Sequence, residues 1–255
     1  MTLLTVPRAL SALTFAAVLA LLAGCSTHTP GDLGRLQQLQ ELCPKDQLIN
    51  GYVATDGSGT SNSATIVDMR LDTIQTVVER VAVCGGHLTI VAFGTNSVPA
   101  LIYDADMQID GATDVARLRQ VPEHVERIMT QVAINYRPAV AALPAGGTDV
   151  TGLYRLLGEV QSLREDMRLE AVVLTDGLTN QGVAIDHALS AEDAMALADS
   201  VTVSELPGAS VSVIGVGRVA GDPLPSEFIE GMKAFYTRLC EKTQAAQCLV
   251  VTDGE

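Results

Sequence analysis

Tryptophan is absent from this chain, and aromatic residues make up only 4% of it. No stacking platform for bases or sugars is therefore evident. Positive charge is also scarce. Sixteen Lys and Arg stand against thirty Asp and Glu, a formal net charge of -14. Phosphate binding needs a basic patch and none is visible, which argues against a nucleic-acid partner. Lysine occurs only at Lys45, Lys233 and Lys242. The histidines, His28, His87, His124 and His187, are scattered with no ligand spacing such as His-x-x-x-His. A zinc site or a His-based catalytic triad is thus unsupported. There is no internal repeat or low-complexity tract. Thr-Asp-Gly recurs at Thr175-Asp176-Gly177 and Thr252-Asp253-Gly254 as a coincidence of strand-end chemistry.

What remains is a chain of 255 residues, 47% of them hydrophobic. That suffices for one fairly large domain with a real core. The N-terminus reads as a separate piece. Arg8 is the only early charge, and an apolar run follows from Ala9 to Gly24. The run is short for a membrane span and ends in small residues, as a signal peptide does. It closes on Leu22-Ala23-Gly24-Cys25, which resembles the bacterial lipoprotein signal. That resemblance implies a lipoprotein cleaved before Cys25 and acylated there with palmitate-type chains. Such a protein is held in the bilayer on the extracytoplasmic face of the bacterial cell membrane. The expected organisation is a signal peptide over 1–24, a tether and short helix over 25–42, and one domain over 43–255. In an exported chain the remaining even set, Cys43, Cys84, Cys240 and Cys248, is expected to form disulfides, with three connectivities open.

From Leu48 onward helices and strands alternate. Apolar runs predict strands over 48–55, 88–93, 100–104, 171–174, 210–216 and 248–251. Helical spacing predicts helices over 33–42, 63–83, 114–135, 149–165, 191–200 and 226–241. Continuous apolar strands between helices point to a mostly parallel, doubly wound α/β sheet with helices on both faces.

One stretch organises the chain: Tyr52-Val53-Ala54-Thr55-Asp56-Gly57-Ser58-Gly59-Thr60. It reads as a strand running into a turn that carries oxygen groups at alternate positions, Asp56, Ser58 and Thr60. Carboxylate and hydroxyl ligands suit a hard divalent cation. Gly57 and Gly59 are expected to let the backbone bend tightly. Two later stretches match it: Gly146-Gly147-Thr148, a loop ending in a hydroxyl, and Val173-Leu174-Thr175-Asp176, a strand ending in a carboxylate.

With these residues the chain resembles the von Willebrand factor type A (vWA) family. Its metal-ion-dependent adhesion site (MIDAS) uses Asp-x-Ser-x-Ser, then a distant Thr, then a distant Asp. Asp56, Ser58, Thr60, Thr148 and Asp176 fit that order, with Thr60 in place of the second Ser. The resemblance covers about Leu48 to the C-terminus. It implies a site for Mg²⁺, Mn²⁺ or Ca²⁺ on one rim of the sheet. Ser58, Thr60 and Thr148 would be direct ligands, and Asp56 and Asp176 direct or water-mediated ones. It also implies a protein ligand that completes the metal shell with an Asp or Glu carboxylate. No catalytic residue is assigned, and the chain is not expected to be an enzyme. Asp149 and Asn180, beside the site in sequence, are expected to cap a helix or satisfy a turn. On the implied topology Cys43, Cys84, Cys240 and Cys248 all fall at the opposite rim, which favours Cys43–Cys84 and Cys240–Cys248.

Two other readings compete. Asp56-Gly57-Ser58-Gly59-Thr60 also resembles the first motif of haloacid-dehalogenase-type phosphatases, Asp-x-Asp-x-Thr. Here Ser58 replaces the usual general acid, and no lysine motif accompanies it. A structural or assembly lipoprotein without metal dependence is the third. Asp104, Asp106 and Asp110 suggest a calcium loop, but Ile109 and Val115 stand where an EF-hand needs Gly and Glu, so they are expected in a solvated loop.

Overall fold

The computed structural model describes residues 32–95 and 98–253. Cys25 and the apolar run before it lie outside the described residues. Among the described residues, no helix is long and apolar enough to cross a membrane.

Six strands form one sheet in the order β3-β2-β1-β4-β5-β6. They span Ile49–Asp56 (β1), Gly86–Phe93 (β2), Ala100–Met107 (β3), Arg168–Leu174 (β4), Ser210–Ile214 (β5) and Gln247–Val251 (β6). All neighbours run parallel except β2 and β3. The helices are Asp32–Glu41 (α1), Ala64–Cys84 (α2), Asp114–Leu118 (α3), Val121–Ala141 (α4), Val150–Ser162 (α5), Ala191–Ser200 (α6) and Ser226–Lys242 (α7). This is the doubly wound, Rossmann-like α/β sheet that the alternation of apolar strands and helices predicts.

Burial explains the sequence pattern. All eight residues of β1 are buried, because helices cover both of its faces. Ile49 and Val53 join α2 and α4 in one core. Tyr52 and Ala54 join α5, α6 and α7 in the other. Gly51 permits the close approach of α2: a Cβ there would sit 2.7 Å from Val81 Cγ2. The helix α1 docks on the first core through buried Leu36, and Arg35 forms a bidentate pair with Glu79 of α2.

Two disulfides close the rim opposite the carboxyl ends of the parallel strands. Cys43 bonds Cys84, and Cys240 bonds Cys248, with Cα separations of 5.4 and 6.0 Å. These are the two pairs favoured by the expected topology. Each such bridge contributes about 2–4 kcal/mol, chiefly by restricting the unfolded chain.

Two elements differ from expectation. The single helix expected over 114–135 is two, because Pro122 lies in the first turn of α4, where a missing N–H costs nothing. The second of them also continues to Ala141, which carries its end to the functional rim. The strand β3 extends to Met107, so Asp104 and Asp106 lie on a strand rather than in a solvated loop. Asp104 and Asp106 flank buried His87 of β2: His87 Nε2 lies 2.9 Å from Asp104 Oδ1, and Nδ1 lies 2.7 Å from Asp106 Oδ1.

Candidate metal centre

The strand order reverses at β1. From it the chain moves outward through β2 to β3, then returns to place β4 on the other side. Ligands of open α/β sheets bind beyond the carboxyl ends of strands at such a switch point. Asp56 ends β1, and Asp176 follows β4 by two residues. Both are buried, 1% and 0% exposed.

Hydroxyls and amides saturate the Asp56 carboxylate. Its Oδ1 accepts from the Ser58 amide at 2.8 Å and the Thr148 hydroxyl at 3.4 Å. Its Oδ2 accepts from the hydroxyls of Thr175 at 2.8 Å and Ser61 at 3.2 Å. Ser61 also accepts from the Asp176 amide at 3.4 Å, joining the two strand ends. The 3₁₀ turn Gly59–Ser61 sets the Ser58 and Thr60 hydroxyls 3.3 Å apart, on the open side of the site. Asp56, Ser58, Thr60, Thr148 and Asp176 thus converge on one rim, as their order in the sequence leads one to expect.

Asp176 is less well served. Oδ1 accepts from the Leu178 amide at 2.9 Å, while Oδ2 is buried with no hydrogen-bond partner. Burial, and then the negative charge of Asp56, hold its pKa above the usual carboxylate range. The Thr60 and Ser61 hydroxyls and the Leu178 amide oppose that shift without overcoming it. Among the described residues, no basic side chain is hydrogen-bonded to either carboxylate. Arg70, itself buried, donates instead to the main-chain oxygen of Asp56 at 2.5 Å.

The Thr148 loop is pinned from outside. Asn180 Oδ1 accepts from the Thr148 amide at 3.0 Å, and the Thr148 carbonyl accepts from the Thr179 hydroxyl at 2.9 Å. Gly147, with φ of 148°, passes so close to Asn180 that a Cβ there would collide with its side-chain amide. Asp149 caps α5, accepting from the Gly152 amide at 2.7 Å. Asp149 and Asn180 therefore play the capping and turn roles expected of them. The backbone bends at Gly57 and Gly59 into the 3₁₀ turn without either adopting a positive φ. Gly57 leaves room for Leu143, and Gly59 faces open space.

Three supporting residues carried no signal in the sequence: Ser61, Thr175 and Arg70. Ser61 and Thr175 are ordinary hydroxyls until the fold brings them to Asp56.

Among the described residues, no group of three or more His, Cys, Asp or Glu is placed to hold a metal. The candidate centre has two carboxylates and three hydroxyls, all oxygen. That set fits Mg²⁺, Mn²⁺ or Ca²⁺ and no soft metal. The pair of buried carboxylates, which accept only from neutral donors, and the unpartnered Asp176 Oδ2 both favour a bound cation.

The fold and site define a doubly wound α/β domain with an oxygen-rich switch point. No family model matches the sequence. No curated protein matches it either. Several solved structures resemble the fold. BatB from Bacteroides thetaiotaomicron superposes with a TM-score of 0.46 at 12% identity, over 82% of this chain and 91% of that one. An aerotolerance-related membrane protein from Bacteroides fragilis gives 0.41 at 14%, over 82% and 92%. Manganese-loaded TRAP from Plasmodium vivax gives 0.38 at 17%, over 74% of this chain and 63% of that one.

Proposed function

We propose that this protein is a lipid-anchored, extracytoplasmic vWA-like binding domain that holds one divalent cation and engages a protein ligand through it. The observation that carries the reading is the pair of buried carboxylates, Asp56 and Asp176, surrounded by hydroxyls and lacking a basic partner. Ser58, Thr60 and Thr148 would hold the ion, with Asp56 and Asp176 direct or behind water. When bound, the ion supplies a Lewis-acidic position open to an Asp or Glu carboxylate. The chain's part is to orient these oxygens. Asp56 is fixed by four donors, and the Thr148 loop is fixed by Asn180. The anchoring rests on Leu22-Ala23-Gly24-Cys25 alone. Replacing Cys25→Ser is expected to move the protein from the membrane pellet to the soluble fraction, and retention in the pellet would contradict the anchor.

Thermal unfolding of the purified full-length protein tests the cation. Samples in EDTA are compared with samples in Mg²⁺, Mn²⁺ or Ca²⁺, beside Asp56→Ala. A cation at a hundred times its dissociation constant stabilises by about 2.7 kcal/mol, which raises the midpoint by about 5–10 °C for a domain of this size. The gain is expected in the wild type and absent in the variant. No response to any of the three ions at millimolar concentration would sink the metal reading and leave a metal-free scaffold.

A further inference from the structure

Above the candidate centre lies a cleft of about 780 Å³. A water molecule takes about 30 Å³ of liquid, so the cleft far exceeds what a cation and one carboxylate occupy. Ser58, Thr60 and Thr148 line it, and around these polar groups its walls are apolar. Val140, in the last turn of α4, and Leu143, just beyond it, pack against the core on one face of the sheet. Ile185, Leu224 and Phe228 belong to the core on the other face. The apolar walls therefore flank the hydroxyls from both sides. No lining residue is basic, and Asp186 stands at the rim. The chain as a whole carries -14. Within the cleft a bound cation is the one positive charge an acidic ligand can meet, so a second acid near the first is disfavoured. Apolar contact has to supply the remaining affinity.

We propose, resting on the cation site above, that the cleft takes an extended segment of a partner protein in which one Asp or Glu lies between two large apolar residues. In an extended chain residues i and i±2 share a face, about 6.6 Å apart. The recognised pattern is therefore apolar-x-acid-x-apolar, with the acid on the metal and each apolar side chain on one wall. A pocket of several hundred cubic ångströms with a few polar groups and apolar walls is suited to such a mixed ligand.

Fluorescent peptides test this by polarisation on the full-length protein loaded with Mn²⁺. The probes carry Leu-Ser-Asp-Ser-Leu, Gly-Ser-Asp-Ser-Gly or Leu-Ser-Asn-Ser-Leu. The Leu-flanked Asp peptide is expected to bind at least about tenfold tighter than the Gly-flanked one, equivalent to about 1.4 kcal/mol. The Asn peptide is expected not to bind, and EDTA is expected to release the Asp peptide. Leu143→Ser and Leu224→Ser alter half-buried wall positions. They are expected to erase the preference while leaving Mn²⁺ uptake unchanged, at the cost of a lower melting midpoint from the lost apolar packing. Equal binding of the two Asp peptides, or no binding of either at millimolar concentration, by protein that does take up Mn²⁺ would overturn the proposal and leave the metal site standing. Failure to take up Mn²⁺ at all would instead remove the site on which the proposal rests.

Discussion

The two rims of this sheet each hold a pair of aspartates, and they treat them in opposite ways. At the lower rim, Asp104 and Asp106 are 45% and 82% exposed at the side chain and share His87, which also contacts Arg164 at 2.8 Å. Burial works against the charge of Asp104. The Thr89 hydroxyl and His87, with Arg164 further off, outweigh it and hold its pKa below the usual value. At the upper rim, Asp56 and Asp176 are buried among hydroxyls, and the pKa of Asp176 is pushed up. A charged carboxylate is tolerated where the fold provides its counter-charge, as at the lower rim. At the upper rim the two carboxylates accept only from neutral donors, and one oxygen is left without a partner. The lower cluster is complete without any ligand, whereas the upper one is short of positive charge, which is the arrangement expected of a cation site.

The cation response described above is the largest difference expected between the rims, since only the upper one should answer to metal. His87→Ala should break the lower cluster. Removing a buried ring that holds two carboxylates should destabilise the protein by about 1–2 kcal/mol, less than for fully buried partners because the aspartates are solvated. Chemical denaturation would show the loss, and the cation response should survive it. Loss of that response along with the lower cluster would show that the two rims are not independent.

Asp176→Asn sharpens the contrast from the other side. It removes a buried charge that the metal-free fold holds at a cost, so it is expected to raise the melting midpoint in EDTA and abolish the gain on adding metal. A lower midpoint in EDTA would show that the carboxylate is already compensated. The pH dependence has a matching sign. A raised folded pKa gives Asp176 a penalty that builds as pH rises above the unfolded value of about 3.9. In EDTA, lowering the pH through the raised folded value toward about 3.9 should therefore relieve that penalty, and Asp176→Asn should remove this part of the dependence. A lowered folded pKa works the other way for Asp104. Its contribution is complete above about 3.9 and is lost only as pH falls through the lower, folded value. Melting curves across pH, with and without EDTA, would separate the two.

Much of this contrast could be read from the sequence at the upper rim and little of it at the lower. Asp56, Ser58, Thr60, Thr148 and Asp176 announce themselves because each follows an apolar run or sits in a Gly-rich loop. Their types also agree on one chemistry. The strands and most helices are equally plain, since central parallel strands are apolar throughout and helices keep their spacing. Edge strand β3 is different. It alternates buried and exposed positions, so Asp104 and Asp106 look like loop residues until pairing with β2 brings them to His87. Ser61, Thr175 and Arg70 could not be singled out, because their roles exist only after β1, α2 and β4 meet. Nothing local in the sequence signals the space Gly57 leaves for Leu143, a contact across 86 residues of chain.

The central claim is that the upper rim holds one divalent cation, and direct counting of bound Mn²⁺ tests it most plainly. Free Mn²⁺ gives a sharp electron paramagnetic resonance signal that is lost on binding. Titration into the wild-type protein is expected to remove one equivalent of free ion per chain, and titration into Asp56→Ala to remove none. A wild-type protein that leaves the free signal untouched, or a variant that still removes an equivalent, would contradict the account.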